Sequence, residues 1–115
     1  MENKFDFLDG NGPVPAKRHV NPDGTEGGWV ADTAYVAPTA YVGKDAVVYD
    51  YATVFDYAEI HDNASIYGEA YVAGKTIVKD NAKIFHEAIL SGHSIVSEND
   101  CVTKDTFPWP YITKV

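Results

Sequence analysis

The residues best suited to chemistry in this chain are a short run of cations and three histidines further along. Lys17, Arg18 and His19 are consecutive, and they form the only cationic cluster in a chain of 115 residues with a formal net charge of −8. Lysine and arginine donate charge-assisted hydrogen bonds to phosphate and carboxylate groups, so this cluster could bind an anion. The alternative is a solvated loop, since the cluster lies between two turn signals.

His61, His86 and His93 could act as general bases or as metal ligands. A general base needs one imidazole at the right place, whereas a metal site needs about four donors in a fixed geometry. Which role is open to these histidines depends on the elements that carry them.

A six-residue period organises most of the chain. An aliphatic residue recurs without insertion at Val30, Val36, Val42, Val48, Val54, Ile60, Ile66, Val72, Val78, Ile84, Leu90, Val96 and Val102, and a small residue usually stands two positions before each. Side chains alternate along a strand, so the small and aliphatic residues point inward, and the next three residues form a corner. Three units make a triangular coil of 18 residues, and the period predicts about four stacked coils.

The corners carry a second pattern. Asparagines at one place in the unit (Asn63, Asn81 and Asn99) suit a left-handed backbone there, as do glycines in the same corners. Tyr49, Tyr67 and Phe85 recur at one corner of successive coils, which predicts a stacked aromatic ladder. A ligand platform is the alternative for those three rings.

The units Ile60–Ile66 (IHDNASI) and Val78–Ile84 (VKDNAKI) resemble those of the hexapeptide-repeat family. This resemblance covers residues 30–105 and implies a left-handed parallel β-helix, commonly a homotrimer. We therefore expect an all-β fold with an irregular N-terminal cap and loop over residues 1–29, the β-helix over 30–105 and a C-terminal tail over 106–115. The segments 12–16 and 27–34 are also similar to uncharacterised bacterial and phage members of the family.

Both ends of a stack of coils need covering, because the terminal core and its strand edges would otherwise be exposed. Trp29 with Phe5, Phe7 and Leu8 offers apolar material for the N-terminal end. The apolar segment 106–112 contains two prolines, which forbid a helix. We expect it to cross the last coil or to pack on a neighbouring subunit.

Outward residues recur every 18 positions and stack in columns on three faces. Face 1 carries Tyr35, Thr53, Tyr71 and Ile89, face 2 carries Tyr41, Glu59, Ile77 and Ile95, and face 3 carries Val47, Ser65, Lys83 and Cys101. Faces 1 and 2 are too apolar to stay exposed on a small monomer. Mostly small residues line the corner between them, so we predict a closed threefold oligomer with that corner nearest the axis. Cover by the chain's own ends is the alternative.

The columns also limit the chemistry of the histidines. His61, His86 and His93 fall on different corners and different coils, so one subunit cannot bring them to one metal, and we predict no metal site. The resemblance implies another possibility, because many hexapeptide-repeat enzymes are acyltransferases that use a histidine near the subunit boundary as general base. His93 is the candidate, with acetyl-CoA or another acyl-CoA as donor. The unbroken six-residue period disfavours an acyltransferase, since such enzymes commonly extrude a loop from the coils.

Charge and cysteine content restrict partners and location. A net charge of −8 disfavours binding to nucleic acids and anionic membranes. The single cysteine, Cys101, permits no internal disulfide, and the N-terminus lacks the apolar run of a signal peptide. We expect a cytoplasmic protein, located in the host cytoplasm if a phage encodes it.

Three functional hypotheses remain. The first is a non-catalytic, trimeric protein without cofactor that binds a small anion, such as a nucleotide or signal metabolite, in inter-subunit clefts. Its ligand-binding residues would be Lys17, Arg18, His19, Tyr57, Lys75 and His93. The resemblance to phage members suggests sequestration of a host metabolite as its purpose. The second hypothesis is the acyltransferase with His93 as base, and the third is a purely structural trimerising module.

Overall fold

The computed structural model describes residues 3–103, and every regular element in that range is a β-strand. Three longer strands come first: β1 (Lys4–Asp6), β2 (Pro13–Val20) and β3 (Glu26–Ala31). Twelve two-residue strands follow at intervals of six: β4 (Tyr35–Val36), β5 (Tyr41–Val42), β6 (Val47–Val48), β7 (Thr53–Val54), β8 (Glu59–Ile60), β9 (Ser65–Ile66), β10 (Tyr71–Val72), β11 (Ile77–Val78), β12 (Lys83–Ile84), β13 (Ile89–Leu90), β14 (Ile95–Val96) and β15 (Cys101–Val102).

The short strands stack into three parallel sheets that form a β-solenoid of about four coils. Face 1 contains β4, β7, β10 and β13, face 2 contains β5, β8, β11 and β14, and face 3 contains β3, β6, β9, β12 and β15 with β2 and β1 added at its N-terminal edge. Tyr35 lies opposite Thr53, and Thr53 lies opposite Tyr71, so the register between coils is 18 residues. The all-β fold of stacked coils and the three predicted columns are therefore confirmed.

The core is the inside of the solenoid. The aliphatic residues from Val42 to Val102 are almost wholly buried, and the alanines two positions earlier are equally inaccessible. Small side chains at those positions leave room for the larger aliphatic ones within a narrow triangle. Where Thr76 and Ser94 replace alanine, each hydroxyl donates to the carbonyl three residues before it, at 2.8 and 3.1 Å. These polar groups are therefore satisfied inside the core.

The corners differ from the prediction by one residue. The left-handed backbone belongs to the second corner residue from the second coil onward, at Asp50, Asp56, Asp62, Gly68, Gly74, Asp80, His86, Gly92 and Glu98. Asn63, Asn81 and Asn99 come one residue later, so their predicted role was wrong. The backbone N–H groups of Asn63 and Asn81 instead donate to carbonyls of the following coil.

Aspartate at the left-handed position links neighbouring coils. Oδ2 of Asp62 accepts from the backbone N–H of Asp80 at 3.1 Å, and Oδ2 of Asp80 accepts from that of Glu98 at 2.9 Å. Asp50 and Asp56 make the same contact with Gly68 and Gly74. Aspartate suits the position because its short side chain tolerates the left-handed conformation and also reaches a backbone donor.

Antiparallel strands, rather than irregular chain, form the N-terminal cap. β1 pairs with β2, and β2 pairs with β3. Phe5 stacks on Trp29 with 5.0 Å between ring centres, but Leu8 is 88% exposed, so the prediction fails for Leu8.

The predicted aromatic ladder is confirmed at the corner before face 1. Tyr49 stacks on Tyr67 at 5.0 Å, and Tyr67 stacks on Phe85 at 5.1 Å. Phe7 of the cap extends the ladder by stacking on Tyr49 at 4.7 Å. The predicted C-terminal tail, residues 106–115, lies outside the described residues.

Candidate functional site

The cationic cluster lies in a strand, so the prediction of a loop was wrong. In β2, Lys17 is opposite Val30 of β3, and Arg18 is opposite Trp29. This pairing could not be read from the local sequence, because the turn signals on both sides of Lys17–His19 fit a loop as well as a hairpin.

Strand alternation separates Arg18 from its two neighbours. Nη1 of Arg18 donates to the carbonyl of Gly27 at 3.0 Å, and its guanidinium lies 5.1 Å from the ring centre of Trp29 on the outside of face 3. Lys17 is consequently on the opposite side of β2, the same side as the buried Val30 with which it pairs, and its own side chain is exposed. The three cations do not converge on one point.

A cavity of about 560 Å³ opens at the N-terminal end of the first coil. We call it the N-terminal cavity. Lys17, Arg18 and His19 line one side, and Ala34, Tyr35 and Val36 are among the residues that line the other. Ala34 and Val36 are half-buried, unlike the fully buried residues at the same positions in the next coil. The cavity therefore combines an apolar floor with a cationic border, and the exposed Asp32 stands at its rim.

Lys17 is the side chain of this border that is available to a ligand. Among residues 3–103 its ammonium has no hydrogen-bond or ion-pair partner. His19 is already engaged, because its Nε2 lies 2.8 Å from the carbonyl oxygen of Ala40. A carbonyl only accepts, so Nε2 carries the proton that bridges them.

Asn21 binds the exposed edge of β5, a role that the sequence analysis did not predict. It is 3% exposed, its Nδ2 donates to the carbonyl of Val42 at 3.1 Å, and its Oδ1 accepts from the N–H of Val42 at 2.9 Å. The amide thus occupies the place of a neighbouring strand. The sequence signal at Asn21 is a turn, and the Asn21 N–H does close one with Thr25.

Tyr57, Lys75 and His93 lie elsewhere on the molecule. They form an exposed column on the second, third and fourth coils, at the corner between faces 1 and 2. Tyr57 lines a second cavity of about 320 Å³, together with Tyr41, Glu59 and His61. None of the three lines the N-terminal cavity, so the structure divides the six predicted ligand-binding residues into two separate groups.

The histidines of the coils remain apart. His61 pairs with Glu59, with 2.9 Å between Nε2 and Oε1, a partnership that the sequence analysis did not identify although both side chains flank the inward Ile60. His86 packs against Phe85, with ring centres 4.7 Å apart. In the part of the chain that the structure describes, no three side chains of the metal-binding types come together.

Both tyrosines of the aromatic ladder have raised pKa values. Burial, followed by the nearby Tyr67 and Asp50, raises the pKa of Tyr49 to about 12, and burial also raises the pKa of Tyr67. Both phenols therefore stay neutral at physiological pH. At the second cavity, which Asp23 also lines, hydrogen bonds from Thr25 lower the pKa of Asp23 and keep that carboxylate ionised.

Comparison of the chain with protein-family models, curated protein sequences and solved structures gives no significant match. Residues 3–103 contain no helix long and apolar enough to cross a membrane.

Proposed function

We propose that the protein is a non-catalytic binding protein that holds a small organic anion in the N-terminal cavity. The ammonium of Lys17, which no side chain or backbone group of residues 3–103 engages, lies beside an apolar floor, and this observation carries the proposal. Ligand sites typically combine a mostly apolar wall with a few polar groups that fix orientation, in volumes of about 300–1,000 Å³. A nucleotide or a signal metabolite remains within this class, and sequestration by a phage-encoded protein remains its proposed purpose.

This site differs in place from the inter-subunit clefts that the sequence suggested. Tyr57, Lys75 and His93 stay predictions for such a cleft, and His93 stays a prediction as an acyltransferase base with an acyl-CoA donor. The purely structural module, the cytoplasmic location and the exclusion of nucleic acid and membrane also remain predictions. Membership of the hexapeptide-repeat family is likewise a proposal, supported by the six-residue unit and the stacked coils.

Face 1 supports the proposed homotrimer. Tyr35, Tyr71 and Ile89 on this face are 50%, 40% and 52% exposed. Tyr51 and Tyr57 at its two corners are also exposed, so five of the seven exposed large apolar side chains in residues 3–103 surround face 1. The column on this face has no charged residue, so copies of a strongly acidic chain repel one another least there.

Calorimetric titration with nucleotides, dicarboxylates and acetyl-CoA tests the binding proposal. Loss of a hydrogen bond to a charged group costs about 1.5–3 kcal/mol, so Lys17→Ala should weaken binding by about tenfold or more. Lys79→Ala, which removes an exposed lysine on the third coil, should leave the affinity unchanged. Equal affinities for the two variants, or no binding of any compound at millimolar concentration, would refute the proposal.

A further inference from the structure

The three strands of the first coil each present one residue toward the N-terminal end of the solenoid. On β3 this residue is Val30, which lies opposite Lys17 in the ladder with β2. On β5 it is Val42, whose N–H and carbonyl both bond to the side-chain amide of Asn21. On β4 it is Val36, at the edge of a sheet that begins with β4. Two of three equivalent edges are thus closed, each by an amide group.

The hydrogen-bond register shows which way the backbone of Val36 points. The N–H groups of Tyr35 and Ala37 donate to the carbonyls of Ala52 and Val54 in the second coil, at 3.0 and 2.8 Å. In a parallel ladder, successive residues direct their polar groups to opposite sides, so the N–H and carbonyl of Val36 face away from the second coil. Val36 has no hydrogen-bond partner there among the described residues. It lines the N-terminal cavity.

We propose that the ligand of the N-terminal cavity is an acidic amide. The N–H and carbonyl of one acidic residue of the ligand, which belong to the two amide groups flanking that residue, pair with the carbonyl and N–H of Val36 as the Asn21 amide pairs with Val42. Its side-chain carboxylate binds Lys17. The ligand class comprises N-acylated amides of acidic amino acids and extended acidic peptide segments, which share this chemistry. The inference rests on the proposed function and specifies the ligand of that site.

A residue flanked by two amide groups fits this edge because its N–H and carbonyl point to the same side of an extended chain. A half-buried backbone N–H and carbonyl are costly to leave unpaired. A simple carboxylate accepts from the N–H but leaves the carbonyl of Val36 without a donor. The N–H and carbonyl of one extended residue satisfy both, which is how extended peptides add to exposed sheet edges.

The test compares three compounds by calorimetry and by amide hydrogen exchange. N-acetyl-glutamyl methylamide carries both amide and carboxylate, glutarate carries carboxylates alone, and a blocked five-residue acidic peptide represents a polypeptide source. We expect the methylamide to bind at least tenfold more tightly than glutarate. It should slow exchange of the Val36 N–H at least tenfold and leave that of Val42 unchanged, because the latter is already bonded.

The possible outcomes separate this inference from the proposed function. If glutarate binds as tightly as the methylamide, with Val36 exchange unchanged and with affinity lost in Lys17→Ala, the acidic-amide proposal is wrong and anion binding stands. If none of these three compounds binds while a nucleotide does, the acidic-amide proposal alone is wrong. If neither these compounds nor a nucleotide binds, or if Lys17→Ala changes no affinity, both proposals fail. A peptide that binds more tightly than the methylamide supports a polypeptide ligand, and equal affinities support a small metabolite.

A variant provides a second readout. Val36→Pro removes the N–H of Val36 without breaking the ladder to the second coil, and proline is tolerated at the edge of a sheet. It should reduce methylamide affinity to the level of glutarate. The exchange measurement on the unmodified chain keeps the proposal testable should this variant not fold.

Discussion

Replacement of Asn21 by alanine should destabilise the protein more than any other single change to a polar residue in the N-terminal cap. The Asn21 amide is 3% exposed and makes two hydrogen bonds to Val42, whose side chain is fully buried. A hydrogen bond contributes about 1 kcal/mol net, and each buried group left unpaired costs about 1–3 kcal/mol. We therefore expect Asn21→Ala to lower the free energy of unfolding by about 2–4 kcal/mol.

Urea denaturation measures this change, with Asn81→Ala as the matched control. Asn81 is exposed at a corner of the third coil and only its backbone N–H makes a described hydrogen bond, so its substitution should alter stability by less than about 0.5 kcal/mol. Amide exchange gives a local readout, since the N–H of Val42 should exchange much faster in Asn21→Ala.

Asn21→Asp sharpens the test. Aspartate keeps an acceptor for the N–H of Val42 but sets a second oxygen against the Val42 carbonyl. This variant should lose stability and yet keep the Val42 N–H protected. A loss below about 1 kcal/mol in Asn21→Ala, with unchanged exchange at Val42, would show that the side-chain amide does not hold the edge of β5.

Three further predictions concern the ladder, the corners and face 1. Because the pKa of Tyr49 is raised in the folded protein, the phenol of the unfolded chain ionises first as the pH rises. The free energy of unfolding should therefore be constant below pH 10 and fall between about pH 10 and pH 12. Chemical denaturation across this range measures the change, and a flat profile contradicts the prediction. Gly74→Ala should lower the free energy of unfolding, measured in urea, by over about 1 kcal/mol more than Gly92→Ala does. Both glycines have positive φ, but of the two only Gly74 would place a new Cβ 2.6 Å from a backbone nitrogen. Equal losses of stability in the two variants argue against the clash. Tyr71→Glu on face 1 should give a monomer in analytical ultracentrifugation, whereas Ser65→Glu on face 3 should leave the oligomer intact. An unchanged mass for Tyr71→Glu would exclude face 1 as the interface.

The period predicts the solenoid well because one interaction repeats in every unit. Each inward aliphatic residue lies opposite the equivalent residue of the next coil, as Val54 lies opposite Val72. A local six-residue pattern therefore determines the long-range register between coils. The outward columns follow from alternation and need no further information. These features are therefore legible from the sequence.

The structures of the cap and the cavity are harder to predict from the sequence, because they depend on single contacts that do not repeat. Lys17–His19 reads as a loop until β2 is paired with β3, and Asn21 reads only as a turn residue until Val42 is brought beside it. The left-handed corner position was placed one residue late, since Asn63 suits that conformation as well as Asp62 does. The bond from Asp62 to the next coil settles the choice, and it becomes visible only once the coils are stacked.

The closure of β5 by Asn21 also governs how these molecules behave at high concentration. The end of a parallel solenoid is a template on which another chain could continue the sheets, as happens when amyloid fibres elongate. A side-chain amide ends that growth, because it satisfies one edge without offering another strand beyond it. With Asn21 removed, the edge of β5 would be exposed beside that of β4, so this residue limits pairing with other chains as well as stabilising the fold.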